Sequence, residues 1–365
     1  MIGAVILGGG PAGAAAALTL LDAHVPVTIV EREPFPRYRP GETLHPGIEP
    51  LLERLGVAED IRTAGYTRHT GIWSGWGEPM RFVPYGEDGS GPWRGYQARR
   101  ADLDRRLLES ACNRGAILLE GKAAGVLSNA RGDVAGMKTS KGTVRADYVI
   151  DCSGGSHTLA RELRIPIVPH SPPLIARFGY VNGRFDGAAP SICADENGWT
   201  WIAEVEPERF QWTRVTEAHN RPASGWLPDA LRGLDVEPSR GADTTWRMAE
   251  TVAGPGYFLA GDSATVLDPS SSDGVLRAIM SGMMAAHLAV RHLCFGADPR
   301  ACATAYQDWL TAWFQHDMAE MSNAYRTTDL FGFGGGSFKS KGVDSKNFEK
   351  QIAPSVLTRS ARVAT

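Results

Sequence analysis

Gly8-Gly9-Gly10-Pro11-Ala12-Gly13 contains G-x-G-x-x-G between a short apolar run, Ala4 to Leu7, and a stretch of helix composition, Ala12 to Leu21. In that setting the glycines permit a tight turn and a close approach of backbone to a pyrophosphate, which the start of a helix favours. Gly8, Gly10, Pro11, Ala12 and Gly13 are therefore candidate cofactor-binding residues. Eighteen residues beyond Gly13, after the β-branched run Val25 to Val30, stands Glu31. A carboxylate at that place accepts hydrogen bonds from a ribose hydroxyl pair and repels a 2′-phosphate, so the site suits the adenosine half of FAD or NAD.

The elements that must position these residues read as strand, turn, helix, strand. Ala101 to Arg114 has Leu103, Leu107, Leu108 and Ala111 at helical spacing and stops at Gly115. Strands are predicted through Ala123–Leu127, Val134–Thr139 and Val144–Ile150, the last leading to Asp151-Cys152-Ser153-Gly154-Gly155 and a helix from about Ser156. From about Leu174 to Val215 the pattern changes to strand-like stretches rich in Trp and Phe, separated by Gly, Asn and Pro. Tyr257–Ala260 returns to the buried-strand type, and Gly274–Arg291 and Ala303–Arg326 read as helices. The prediction is an α/β chain. A Rossmann-like domain is assembled from 1–70, 96–170 and 245–295, with an antiparallel β-sheet substrate domain, 71–95 and 171–244, inserted in it. A C-terminal helix, 296–330, and a Gly/Ser/Lys-rich tail, 331–365, follow.

The chain has 365 residues, 38 Lys+Arg against 41 Asp+Glu, and 43% hydrophobic residues. This is an ordinary globular composition, which excludes disorder and fibrous architectures. The balanced charge argues against nucleic acid as a partner, since that needs clustered cations. Five scattered cysteines, never in a CxxC pair, predict no zinc site or disulfide framework and a cytoplasmic, reducing location. Met1 to Leu21 carries few obstacles to a membrane reading by charge, but Gly8, Gly9, Gly10 and Pro11 break it and no basic flank precedes it; no membrane span is predicted.

Three further segments resemble the FAD-dependent monooxygenase superfamily, in the branch of flavin-dependent halogenases and geranylgeranyl-reductase-like proteins. Arg37-Tyr38-Arg39-Pro40-Gly41-Glu42-Thr43 is similar to R-x-x-x-G-E-[ST]. Arg100-Ala101-Asp102-Leu103-Asp104 is similar to R-x-x-[FL]-D. Leu259-Ala260-Gly261-Asp262-Ser263-Ala264, followed by Pro269 and Gly274, resembles the apolar-GDA strand end. The resemblance covers roughly residues 1–290. It implies an FAD-binding first domain whose further cofactor contacts are Arg32, Arg39, Glu42, Thr43, Arg100, Gly261, Asp262, Pro269, Gly274 and Val275. No second G-x-G-x-x-G exists, so electrons come from docking NAD(P)H or from an external reductase.

Within that branch, halogenases carry a lysine between flavin and substrate, and this chain has none before Lys122. Their P-L-E-S-T-G segment reads here Pro269-Ser270-Ser271-Ser272-Asp273-Gly274. A carboxylate beside a halide costs about 4 kcal/mol at ~4 Å and an effective dielectric of ~20. Halogenation is therefore disfavoured. The reaction expected is insertion of oxygen into an electron-rich aromatic ring through a flavin hydroperoxide. Candidate bases are His45 and Asp273, each of which also suits a helix cap, with His69 behind them. Trp199 and Trp201 share a strand face by the period of two, as an aromatic pocket wall or as plain sheet core. The length, the missing lysine and the Lys-rich tail most resemble flavoproteins that hydroxylate a peptidyl tryptophan in tryptophylquinone biogenesis, which implies a protein substrate as partner. Alternatives are a small-molecule aromatic hydroxylase, a halogenase or reductase, and a non-catalytic FAD-binding carrier.

Overall fold

The computed structural model describes residues 3–333. One sheet has six strands in the order Ile117–Glu120, Val27–Glu31, Ala4–Leu7, Tyr148–Asp151, Tyr257–Leu259, Ala253–Gly254, parallel except for the last pair. Ala4–Leu7 and Tyr148–Asp151 are buried at every position, as parallel strands covered on both faces must be. The helix Pro11–Asp22 packs against Gly274–Phe295. Their approach depends on Gly282, because a Cβ there would run into the Ala12 carbonyl. Gly274–Phe295 is long and apolar enough to cross a membrane, but here it is a core helix buried along one side from Val275 to Val290. The first domain is thus the Rossmann-like α/β fold predicted.

A second sheet of eight strands carries the inserted segment. Its order is Asp235–Val236, Leu174–Asn182, Arg209–Glu217, Gly198–Glu206, Ser191–Asp195, Gly71–Gly75, Arg81–Pro84, with Arg240–Asp243 also pairing Leu174–Asn182. The three long strands are antiparallel, and their Trp and Phe side chains make the core of this half.

Some elements differ from the reading above. Val144–Ile150 is not one strand: Gly142–Arg145 belongs to a small antiparallel sheet and Tyr148–Asp151 to the large one. The break falls at Ala146 and Asp147, where Asp147 accepts the Gly3 N–H at 2.9 Å. The helix after Asp151 is only Thr158–Glu162, bounded by two residues in the left-handed region, His157 at φ 45 and Arg164 at φ 57. Ile117–Glu120 is a further strand, at the sheet edge with Ile117 65% exposed, so its burial gives little pattern in the sequence. The last helix is Pro299–Thr327, capped by Asp298 on the N–H groups of Arg300 and Ala301. Phe331 and Phe333, at the head of the expected tail, are buried against Trp246 and Tyr325. The lysines Lys339, Lys341, Lys346 and Lys350 lie outside the described residues.

Candidate functional site

A cavity of about 1220 Å³ runs between the two sheets. Gly8, Gly10, Pro11, Ala12, Glu31, Arg32, Arg39, Thr43, Arg100, Gly261, Asp262, Pro269, Gly274, Val275, Trp199 and Trp201 all line it. Sequence positions spread over more than 260 residues thereby meet at one place.

The glycine loop forms one end. Gly8 has φ +101, and a Cβ there would collide with the Cys152 carbonyl. Gly13 does not line the cavity; a Cβ on it would collide with the Gly8 carbonyl, so it lets helix and turn close on each other. Gly10 is different. Its Cβ would meet only the Arg37 guanidinium, at 2.9 Å, so its backbone stands open to whatever fills the cavity. The first hydrogen bond of the helix runs from Ala14 N–H to the Gly10 carbonyl. The N–H groups of Ala12 and Gly13 consequently have no intrahelical acceptor, which is the arrangement that holds an anion.

Glu31 is 4% exposed at the end of its strand. Its Oε2 accepts from Gly9 N–H at 2.7 Å and from Arg37 Nη1 at 3.2 Å, and Oε1 accepts from Glu33 N–H at 2.9 Å. A carboxylate offers about four acceptor sites. Glu31 therefore fixes the glycine loop while keeping capacity for a hydroxyl. Arg37 is a site residue that sequence reasoning passed over, although it opens the R-x-x-x-G-E-T motif. It bridges Glu31 and Asp104, and Asp104 is fully buried and also held by Arg100 Nε at 2.8 Å.

Around the middle, Arg32 donates to Ser156 Oγ at 3.0 Å, and Arg39 lies 3.6 Å from Glu33. Burial, then the neighbouring Arg37, pulls the Arg39 pKa down. Thr43 donates to Gln97 at 3.0 Å; Glu42 is on the same strand, and its side chain lies outside the described ones. The lining holds eight Lys and Arg (Arg32, Arg37, Arg39, Arg100, Lys122, Arg161, Arg240, Arg247) against six Asp and Glu (Glu31, Glu33, Glu162, Asp243, Asp262, Asp268). That excess suits a dianionic pyrophosphate.

Asp262 is exposed, and what it faces is the cavity. The surrounding protein pushes its carboxyl pKa up, while Arg100, Arg247 and His157 pull it down. Such an acceptor, open to the cavity, fits a chain of hydroxyls. Beyond it, Gly274 and Val275 open the Gly274–Phe295 helix toward the cavity.

Trp199 and Trp201 are 1% and 9% exposed, and both face the cavity. Both also belong to the buried core of the second sheet, so they are core residues that border the cavity. Asp273 and His45 do not line the cavity. Asp273 stands at the cap position but makes no side-chain cap hydrogen bond; its carboxylate instead lies 3.7 Å from the Arg277 guanidinium. Burial raises its pKa, with Arg277 and His45 acting against the rise. His45 is the cap of Pro46–Ile48, its Nδ1 accepting from Gly47 N–H at 3.1 Å, which leaves the proton on Nε2 when the ring is neutral. Its ring is 5.0 Å from Tyr85, and His69 is 5.4 Å from the same phenol. The two candidate bases therefore belong to one polar cluster just outside the helix N-terminus. Among the described residues no group of three His, Cys, Asp or Glu is arranged to hold a metal ion.

Residues 1–226 match the family described as FAD binding domain. The chain belongs to that family. It is 28% identical over 339 residues to a tryptophan 2-halogenase of Chondromyces crocatus, a match covering 83% of this chain and 63% of that protein's own length. Among solved structures, the myxobacterial chondrochloren halogenase CndH superposes with a TM-score of 0.83 at 19% identity, covering 96% of this chain and 88% of the other. The peptidyl tryptophan dihydroxylase QhpG superposes with a TM-score of 0.72 at 19% identity, covering 94% and 80%. The family fixes FAD as the cofactor, and the open Gly10 backbone, the unpaired helix N–H groups and the cavity-facing Asp262 fit it. The protein is an FAD-dependent oxidoreductase, similar to flavin-dependent halogenases and monooxygenases.

Proposed function

We propose that the protein inserts oxygen into an electron-rich aromatic ring, and that the ring is a tryptophan side chain carried by a protein. The observation that carries the choice of oxygen over halide is the position of the lysines. Among the described residues these are Lys122, Lys138 and Lys141. Lys122 reaches the cavity beside Glu31, where Gly121 N–H bonds the Glu31 carbonyl; Lys138 is on a strand of the small antiparallel sheet and Lys141 in the turn that follows it. None is at the end formed by Trp199, Trp201 and Val275. Asp273, next to the cavity-lining Gly274, places a carboxylate close to that end, which disfavours a halide there.

Bound FAD, once reduced, supplies the oxygen chemistry. The protein's part is binding, orientation and proton handling. The loop at Gly10, the N–H groups of Ala12 and Gly13, and Arg37 hold the pyrophosphate; Glu31 holds the ribose. Trp201, with the more deeply buried Trp199 behind it, gives that end of the cavity an apolar border that an indole can pack against and that keeps water from the ring. Asp273, just outside the lining beside Gly274 and backed by Arg277 and His45, takes up the ring proton through an intervening water when aromaticity is restored. Electrons come from NAD(P)H or a reductase, and the five unpaired cysteines favour work in the cytoplasm.

Halogenation is the second reading, and the halogenase relatives favour it. One incubation decides between them. Reduced enzyme is given oxygen, bromide and a tryptophan-containing protein from a quinone-cofactor enzyme, beside free tryptophan. Gain of oxygen on the protein-borne indole is the expected result; a brominated indole would sink the proposal.

A further inference from the structure

Between the cavity and the surface runs a connected group of oxidisable side chains that the cofactor cradle does not use. Trp199, on the cavity wall, donates its Nε1–H to the Tyr325 oxygen at 2.9 Å. The Tyr325 phenol in turn donates to Asp268 Oδ1 at 2.8 Å. Asp268 also accepts from Trp246 Nε1 at 2.5 Å and from Ser270 N–H at 3.0 Å. This carboxylate is 1% exposed, and its burial pushes its pKa up; the three donors act the other way. With donors on every side, the acceptor-only ionised form is the one that fits. Away from Asp268, the Tyr325 ring lies 5.4 Å from Trp76, whose indole is fixed by donating to the Ala324 carbonyl at 2.8 Å. Trp76 is half-buried, and Gly77 beside it opens on a surface cleft of about 450 Å³.

Packing alone does not call for this composition. Leu or Phe would fill the same wall without burying a carboxylate, whose desolvation costs on the order of several kcal/mol. Tryptophan and tyrosine are, however, the side chains that most readily give up one electron, and a phenol does so most easily when a base takes its proton in the same event.

We propose that Trp199, Tyr325 and Trp76 form an oxidation relay that carries a one-electron hole from the cavity to the surface, with Asp268 as the proton acceptor of Tyr325. The proposal rests on the cavity being where reduced flavin meets oxygen, whichever product results. The oxidant is superoxide, left in the cavity when that chemistry runs without substrate. Trp199 gives it one electron, and with two protons from solvent it leaves as hydrogen peroxide. Tyr325 restores Trp199 with one electron and passes its phenolic proton to Asp268, which becomes neutral. Trp76 then gives one electron to Tyr325, and Asp268 returns the proton. The hole ends on Trp76, where a soluble thiol supplies the last electron. One electron has crossed the protein and its protons are back where they began. Without the relay the hole stays on Trp199, whose ring then adds oxygen.

The test cycles the FAD-loaded enzyme with reductant and oxygen, without aromatic substrate. It compares wild type, Tyr325→Phe and Trp76→Phe by the oxygen content of the Trp199 peptide in mass spectrometry and by freeze-quench electron paramagnetic resonance. Both variants are expected to oxidise Trp199 several-fold faster than wild type. Trp76→Phe leaves the Asp268 hydrogen bonds in place and is expected to accumulate a tyrosyl radical that Tyr325→Phe lacks. If Tyr325→Phe does not fold, Trp76→Phe decides alone. Normal flavin reoxidation with equal Trp199 damage in all proteins, and no tyrosyl signal in Trp76→Phe, would overturn the relay. Failure of oxygen to reoxidise the flavin would overturn the functional reading, and the relay with it.

Discussion

At the glycine-loop end of the cavity, contacts come from backbone and from motifs short in sequence, whereas at the tryptophan end they come from side chains drawn from distant segments. Gly8, Gly10 and Gly13 lie within six residues and act through backbone shape. Trp199, Asp268, Tyr325 and Phe333 are spread over 135 residues and meet only in the folded chain. Binding a common cofactor needs a shape that many sequences share, so it is written locally. Choosing a substrate needs particular side chains at particular places, and only tertiary structure supplies them.

The largest expected effect lies at the tryptophan end. Asp273→Asn should lower the rate of oxygen insertion by about 10²–10⁴-fold, the usual worth of a positioned base, with FAD still bound. The pH profile checks the role. Burial holds the Asp273 carboxyl above its ordinary 3.8, against Arg277, His45 and Ser271, with Tyr85 and Asp317 nearby responding to the same charge. A base works ionised, so the rate should rise with pH through that raised value and fall as pH drops below it. In Asp273→Asn this limb should vanish. A retained limb would move the base to His45, and His45→Ala should then show the loss instead.

At the other end, Glu31→Ala should weaken FAD binding by roughly 1.5–3 kcal/mol, the worth of hydrogen bonds to a charged group. Because Glu31 also holds Gly9 N–H and Arg37, Glu31→Gln should recover part of the affinity. Equal losses in the two variants, read by fluorescence titration, would mean that its charge alone matters there.

A smaller contrast separates two glycines. Gly13→Ala places a methyl group against the Gly8 carbonyl and should cost ~1–3 kcal/mol of fold stability, as overpacking does. Gly10→Ala meets only Arg37 and should leave thermal stability of the FAD-free protein nearly unchanged while weakening FAD. Equal stability losses would erase the distinction between a packing glycine and a ligand-facing one.

These contrasts follow how far the sequence could be read. The glycine loop and Glu31 were legible because they form a short pattern whose chemistry depends on its own spacing, whereas Asp262 and the helix start at Gly274 came from the family resemblance. Arg37 was within reach, as the first residue of a motif already noticed, and only the fold shows it lying over Gly10. The Asp268, Trp246 and Tyr325 network was not legible. Nothing in the run Asp268-Pro269-Ser270 distinguishes a buried carboxylate from a solvated turn cap, and its partners arrive from 22 and 57 residues away. Phe331 and Phe333 were read with the Gly-rich stretch that follows, since composition averages over a window and burial does not. Asp273 and His45 were chosen as neighbours of flavin motifs, and the fold places both in a cluster with Tyr85 outside the cavity lining.

On the function proposed above, this FAD-dependent enzyme puts oxygen, not halide, on an indole. The most direct measurement is intact-mass and peptide analysis of a protein-borne tryptophan after reaction with reduced enzyme and isotopically labelled oxygen in the presence of bromide. Label on the indole, no bromine, and little conversion of free tryptophan are expected, because remote contacts of a protein substrate position the ring. Bromine on either indole, with no labelled oxygen retained, would contradict that function.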